Sequence, residues 1–223
     1  MGDFLDNKTG ETVCSDSPLV KVLIVEDHQS MSEAFVSEFC PENGFEVTGV
    51  ISSAENAENE CLRSLPDIII MDVCTAGGAS GLDAAENVIK SFPGVKILVT
   101  SGFDEVTYLP RAKQIGAHAF VFKSKGLAHF RETAKRIIEG EYVFPEPLAI
   151  PIPQGESPFT VREMEVLRLM CRGKTGAQIA QELKISERTI KYHKANMLKK
   201  TGFSNGTELA FYIASHGWIN PHY

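Results

Sequence analysis

The stretch PDIIIMDVC, residues 66–74, is the most apolar run of the chain, and a single aspartate, Asp72, follows its core. Residues 68–71 are all apolar, which predicts a buried strand. Because a buried charge without a partner is costly, the position of Asp72 needs a reason. Either its carboxylate emerges at the carboxyl edge of a sheet, or it lies in a charged pocket that holds it.

Similar runs recur on both sides of this strand. They are VKVLIVED (20–27), FEVTGV (45–50), VKILVT (95–100) and AFVFK (119–123), and segments with helical periodicity lie between them. Continuous rather than alternating apolar strands are typical of a parallel sheet that helices cover on both faces. We therefore predict an α/β domain with a doubly wound, five-stranded parallel sheet over residues 20–140.

A proline-rich segment separates this domain from a second one. Residues 144–158 hold five of the eleven prolines, which predicts an extended linker over residues 141–157. Residues 158–223 show only helical patterns, with capping boxes at Thr160–Glu163 and Thr175–Gln178. Two short helices around a tight turn, the second of them basic, predict a helix-turn-helix within an all-α, four-helix domain. Residues 1–19 remain as a polar N-terminal extension.

The charge distribution supports two domains with different partners. Residues 158–223 carry 10 Lys and Arg against 5 Asp and Glu, whereas the rest of the chain carries 12 against 24. A basic domain of this kind is suited to a polyanion. The five cysteines are scattered without a CxxC pair, which favours reduced thiols and a cytoplasmic location. No apolar run is long enough to predict a membrane span, and the polar, acidic N-terminus does not predict a signal peptide.

Polar side chains follow four of the predicted strands. They are Glu26 and Asp27, Asp72, Thr100, and Lys123. The carboxyl ends of parallel strands meet at one edge, so these groups should converge there. Three carboxylates repel one another, and a Mg²⁺ ion would remove the conflict. Asp72 can then act as a nucleophile that forms an aspartyl phosphate, with Lys123 clamping the phosphoryl oxygens and Thr100 bonding to the new group.

Two sets of motifs resemble a known family. VLIVEDH (22–28), PDIIIMDV (66–73), KILVTSG (96–102) and GAHAFVFKS (116–124) resemble the flavodoxin-like receiver domain of two-component response regulators. SPFTVREMEVLRLMCRGKTGAQIAQELKISERTIKYHKANMLKKTGF, residues 157–203, is similar to the LuxR-type helix-turn-helix. In this order the two resemble the NarL/FixJ class, which implies a phosphorylation-controlled, DNA-binding transcriptional regulator rather than a turnover enzyme.

The resemblance also implies roles for individual residues. Asp72 would be the phosphoacceptor of a histidine kinase and, with Thr100 and Lys123, would form the catalytic set. Mg²⁺ would be held by Glu26, Asp27, Asp72 and the main-chain carbonyl of Cys74. Thr100 and Phe120 would be the switch residues that change position on phosphorylation.

Departures from the family pattern keep two alternatives open. The loop VCTAGGASGLD (73–83) lacks the usual proline after the acceptor and is one residue longer, and Pro110 should make the fourth helix start late or kink. The receiver could therefore be a degenerate, phosphorylation-independent dimerisation or docking module. An aspartate-nucleophile phosphatase is a further alternative, but that class needs an acid where Cys74 stands.

The basic helix over residues 187–200 presents one polar side. Ile190, His193, Met197 and Leu198 share the inward side, whereas Arg188, Tyr192, Ala195 and Lys199 point away, with Lys191 and Asn196 on the flanks. The resemblance implies that three residues of this helix face the DNA bases: Lys191, Tyr192 and Ala195. Candidates for contacts with DNA phosphates are Lys174, Thr175, Lys194, Lys199 and Lys200. The apolar residues Leu209, Phe211, Ile213 and Trp218 predict a C2 homodimer that reads two half-sites.

Overall fold

The computed structural model describes residues 18–102, 108–146 and 159–220. Most of the predicted N-terminal extension and of the predicted linker lie outside these ranges. In the part of the chain that is described, none of the helices is long and apolar enough to span a membrane.

The N-terminal domain is built on a five-stranded sheet. Its strands are β1 (Val20–Val25), β2 (Phe45–Ile51), β3 (Ile68–Asp72), β4 (Lys96–Ser101) and β5 (Ala119–Phe122). They lie in the order β2-β1-β3-β4-β5, and every neighbouring pair is parallel. The predicted doubly wound α/β sheet is confirmed. β3 lies at its centre, and both faces of this strand are buried.

Helices cover both faces of the sheet. They are α1 (Gln29–Glu38), α2 (Ala57–Ser64), α3 (Gly81–Ser91), α4 (Tyr108–Gln114) and α5 (Leu127–Ile138). One apolar core lies between the sheet and α2, α3 and α4, and a second lies under α1 and α5. Pro110 lies in the first described turn of α4, where the amide groups need no partner within the helix, so a proline is tolerated.

The C-terminal domain consists of four described helices. They are α6 (Val161–Cys171), α7 (Gly176–Glu182), α8 (Glu187–Thr201) and α9 (Gly206–Ser215). Both predicted capping boxes are present, at Thr160–Glu163 and at Thr175–Gln178. The helices enclose a single apolar core of their own, so the domain has the predicted all-α architecture.

The prediction that Leu209 and Ile213 form a dimer surface is wrong. Their side chains are 0% and 1% exposed, because α9 turns this face into the core of its own domain. Trp218 packs against Tyr212 and the same core. Phe211, on the opposite side of α9, is 75% exposed and remains available to a partner.

An ion pair connects the start of α6 with the last turn of α8. Glu163 is buried at the start of α6, where its carboxylate accepts from the Thr160 amide and lies 2.7 Å from Lys200 Nζ. Burial raises the pKa of Glu163, but Lys200 and Thr160 outweigh burial and hold the pKa below its ordinary value of 4.5. This contribution to stability is therefore present above pH 4.5 and is lost as the pH falls through the lower pKa of the folded state.

Glu163→Ala should destabilise the C-terminal domain by about 2 kcal/mol, because it removes half of a capping box and breaks the ion pair between Glu163 and Lys200. The single tryptophan, Trp218, lies in this domain, so its fluorescence during urea unfolding measures the change. Glu165→Ala is the matched control, since Glu165 is exposed and, within the described ranges, pairs with Arg162 on the same helix. Equal midpoints for the two variants would contradict the prediction.

Candidate functional site

The polar strand ends meet at one edge of the sheet, as the sequence predicts. Glu26 follows β1, Asp72 ends β3, and Lys123 follows β5. Thr100 lies on β4 directly beside Asp72 in the strand register. The parallel arrangement of the strands thus brings together side chains that are up to 97 positions apart in the chain.

Lys123 lies between two buried carboxylates. Its Nζ is 2.6 Å from Glu26 Oε2 and 2.9 Å from Asp72 Oδ2. Glu26 and Asp72 are each only 3% exposed, so the carboxylates have little water around them. A cation held in this position offsets the charge of the acid that is expected to react and can contact a group bound to it.

Burial raises the pKa of Asp72 to about 6. The Lys123 ammonium opposes the shift, whereas the Glu26 and Asp27 carboxylates add to it. Burial lowers the pKa of Lys123, but the attraction of Asp72 and Glu26 outweighs burial and raises it overall. The ammonium therefore stays charged, while the pocket carries more negative charge than one lysine can balance.

The donor atoms of this pocket fit a small divalent cation. Atoms of Glu26, Asp27, His28 and Asp72 lie within 4.8 Å of one another. Three carboxylates provide the hard oxygen ligands that Mg²⁺ prefers. Their three negative charges and the one positive charge of Lys123 leave a net charge of minus two. His28 is not among the predicted metal ligands, yet its Nδ1 is 2.9 Å from an Asp27 oxygen and 3.2 Å from Glu26 Oε1.

Thr100 has a hydroxyl group without a partner. It is 0% exposed, and Thr100 Oγ1 has no hydrogen-bond partner among the described residues. A buried hydroxyl of this kind is costly unless another group supplies the missing bond in a second state. Its place beside Asp72 makes a group attached to that carboxylate the natural partner.

The loop after Asp72 is held by short contacts. The Thr75 hydroxyl donates to the Ala79 carbonyl and accepts from the Ala54 amide, and Cys74 pairs with Ser80 in an antiparallel bridge. The Cys74 thiol contacts the Tyr108 hydroxyl at 3.5 Å and accepts from Asn220 Nδ2 at 3.4 Å. Burial raises the pKa of Cys74, so the thiol stays neutral.

The second candidate surface is the outer side of α8. Ile190 and Met197 are buried, as the helical projection predicts. Arg188, Lys191, Tyr192, Ala195 and Lys199 are exposed, and Lys194 and Asn196 are partly exposed. Tyr192 is 64% exposed, so its ring is accessible to a partner.

Two of the lysines predicted to contact phosphates already have partners. Lys200 pairs with Glu163, and Lys174 forms a close ion pair with Glu182. Thr175 is exposed, but its hydroxyl caps α7 by accepting from the Gln178 amide. These three residues therefore have structural tasks, and their contact with a polyanion stays a prediction.

Comparisons with known proteins match both parts of the chain. Residues 22–135 match the family described as response regulator receiver domain, and residues 157–213 match bacterial regulatory proteins of the luxR family. The uncharacterised transcriptional regulatory protein YvfU of Bacillus subtilis is 30% identical over 201 residues, which span 90% of this chain and all of that protein. The response regulator protein VraR of Staphylococcus epidermidis is 26% identical and covers 90% of this chain and 99% of its own.

Solved structures show the same fold. The RcsB response regulator of Salmonella typhimurium superimposes with a TM-score of 0.57 at 20% identity, over 89% of this chain and all of that one. A structure of the RcsB–DNA complex gives a TM-score of 0.61 at 21% identity, over 88% of this chain and 98% of that one. The fold of both parts of the chain is therefore one that known proteins share.

Proposed function

The chain belongs to the response regulators that join a receiver domain to a LuxR-type DNA-binding domain, and we propose that a histidine kinase phosphorylates it on Asp72. The phosphorylated receiver then changes how a homodimer of the chain binds DNA and so controls transcription. As a member of this family the protein is a transcriptional regulator and not a turnover enzyme.

The observation that carries the proposal is the pairing of Asp72 with Lys123 beside an unsatisfied Thr100. The distance of 2.9 Å between Lys123 Nζ and Asp72 Oδ2 leaves the other carboxylate oxygen, Oδ1, for attack on phosphorus. The buried Thr100 hydroxyl lacks a partner among the described residues, and a phosphoryl oxygen on Asp72 would supply one. A receiver that is not phosphorylated would have no use for a lysine paired with Asp72 beside a buried, unsatisfied hydroxyl.

The transfer itself needs few groups from the chain. A carboxylate oxygen of Asp72 attacks phosphorus, the new O–P bond forms as the P–N bond of a phosphohistidine breaks, and the released imidazole takes a proton from water. Lys123 stabilises the phosphoryl oxygens, and Thr100 then donates to one of them. Glu26, Asp27, Asp72 and the Cys74 carbonyl would hold Mg²⁺, which supplies positive charge that offsets the oxygens of the transferred group.

DNA binding is assigned to the outer side of α8. Lys191, Tyr192 and Ala195 would face base edges in the major groove, while Arg188, Lys194, Asn196 and Lys199 flank them. The exposed ring of Phe211 is the remaining candidate for a dimer contact. The described cysteines are all free, which agrees with a reducing, cytoplasmic location.

The proposal is tested by incubating the whole chain with Mg²⁺ and acetyl phosphate. Intact mass should increase by one phosphoryl group, and Asp72→Asn should show no increase, because an amide is not a nucleophile for this step. A phosphorylated chain should also bind selected DNA differently from the untreated chain. An unmodified wild-type chain that still binds DNA would support the phosphorylation-independent docking module instead.

Lys191→Ala should weaken DNA binding on the order of 10-fold and reduce the slope of log affinity against log salt by about one if this side chain contacts a phosphate. Binding is measured by fluorescence anisotropy over a series of salt concentrations. Lys135→Ala, an exposed lysine on α5 of the receiver, is the matched control and should bind as the wild type does. A wild-type salt slope near zero would exclude a surface that contacts phosphates.

A further inference from the structure

His28 turns its ring toward the carboxylates of the pocket around Asp72. Its Nδ1 lies 2.9 Å from Asp27 Oδ1 and 3.2 Å from Glu26 Oε1, although the side chain of His28 is 72% exposed and borders on solvent. One nitrogen of the ring and one oxygen each of Glu26, Asp27 and Asp72 all lie within 4.8 Å of one another. The imidazole therefore stands among the same oxygen atoms that fit a divalent cation.

The main chain holds His28 in this position. The residue directly precedes α1, and its carbonyl accepts from the amides of Met31 and Ser32, both at 3.0 Å. Its own amide donates to Glu26 Oε1 at 3.1 Å. A side chain at this position commonly caps the helix, but the His28 ring accepts no hydrogen bond from the described amides of α1. The ring is thus left to the carboxylates, and its removal costs α1 no cap.

The pocket has charge and hydrogen-bonding capacity for groups from outside the chain. Lys123 Nζ contacts Glu26 and Asp72 at 2.6 and 2.9 Å, and this one ammonium balances one of three carboxylates. The hydroxyl of Thr100, beside Asp72, is fully buried and has no hydrogen-bond partner within the described ranges. A buried hydroxyl without a partner and an excess of negative charge both point to a further ligand in this pocket.

We propose that His28 ligates the cation of this pocket through a ring nitrogen and gives the site a preference for first-row transition-metal dications, such as Mn²⁺, over Mg²⁺. This inference rests on the metal site of the proposed function and names the class of ion which that site selects. Mg²⁺ prefers oxygen ligands, whereas imidazole nitrogen is a ligand of transition metals. Because Mn²⁺ is the weakest binder of the transition-metal series, an effect seen with Mn²⁺ is a minimum for the class.

Metal affinities of the whole chain test this preference. Mn²⁺ binding is measured from the electron paramagnetic resonance signal of the free ion, and Mg²⁺ binding by competition, both without phosphodonor. His28→Ala should lower the ratio of Mn²⁺ affinity to Mg²⁺ affinity by about 10-fold. His129→Ala, which removes an exposed histidine of α5, should leave the ratio unchanged. An unchanged ratio in His28→Ala would overturn the inference even if both affinities fall, because the ring would then only hold the carboxylates in place.

Pulsed electron paramagnetic resonance reads the ligand directly. Mn²⁺ bound to the wild type should show modulation from an imidazole nitrogen, which His28→Ala should lose and His129→Ala should keep. Asp72→Asn should weaken the binding of both ions, which would assign the signal to this pocket.

The intact mass of the same chains after treatment with Mg²⁺ and acetyl phosphate separates this inference from the proposed function. A wild type that gains the phosphoryl mass but shows no nitrogen modulation would overturn the inference and leave the proposed function standing. A wild type that shows the modulation and gains no mass would support His28 as a ligand and overturn the proposed phosphorylation. A wild type that binds neither ion would overturn both.

Discussion

Replacing Gly81 with alanine should destabilise the receiver domain by more than about 4 kcal/mol, the range in which backbone overlap rather than lost contacts decides the outcome. A β-carbon at Gly81 would lie 1.8 Å from the Asp72 carbonyl oxygen and 2.8 Å from its carbonyl carbon. Both are main-chain atoms, so neither can rotate away. The Gly81 amide also donates to the Val73 carbonyl, which holds α3 against the end of β3.

The matched control is Gly94→Ala. A β-carbon there meets nothing within 4 Å, and the backbone has no positive φ, so this variant should unfold within about 0.5 kcal/mol of the wild type. Urea unfolding is followed by circular dichroism for the whole chain and by Trp218 fluorescence for the C-terminal domain. Gly81→Ala should shift the receiver transition and leave the Trp218 transition in place. Equal circular dichroism midpoints for the two variants would show that the chain moves aside at Gly81.

The approach of Lys123 to Asp72 illustrates what the sequence predicts well. Once five parallel strands are assigned, the topology forces their carboxyl ends to one edge, so the approach of Lys123 to Asp72 follows from strand order alone. The capping boxes at Thr160 and Thr175 are equally local, because each involves residues three positions apart. The sequence does not show how closely Gly81, at the start of α3, approaches the main chain of Asp72, since that contact depends on the exact path of the backbone.

The wrong predictions concern which side of an element faces the core. Leu209 and Ile213 are four positions apart and share one side of α9, whereas Phe211 lies on the other. The apolar content of α9 alone does not show which side of the helix a partner covers. The side with Leu209 and Ile213 packs into the core of the four-helix domain. The sequence also does not show that Val143, in the predicted linker, forms a parallel bridge with Ala119 at the edge of β5. The Cys74–Asn220 contact joins two domains, and no local pattern predicts it.

Lys123→Gln should slow phosphorylation of Asp72 by acetyl phosphate on the order of 100-fold, the usual effect of losing one fixed group that stabilises developing charge. The Lys123 side chain is 17% exposed and contacts Glu26 and Asp72 together. A glutamine is shorter and neutral, so it neither balances the two carboxylates nor contacts the phosphoryl oxygens as a cation. The rate is measured as the time course of intact mass in the presence of Mg²⁺.

Lys125→Gln makes the same chemical change two residues further on, at an exposed side chain, and should phosphorylate at the wild-type rate. The comparison separates the position of the ammonium from the net charge of the domain, since both variants lose one positive charge. Removal of Lys123 also leaves Glu26 and Asp72 buried without a cation, so thermal unfolding is recorded to confirm that the variant is folded during the assay. If folded Lys123→Gln reacts as fast as Lys125→Gln, the ammonium between the two carboxylates serves only to hold them together, and the phosphoryl group is stabilised by other groups.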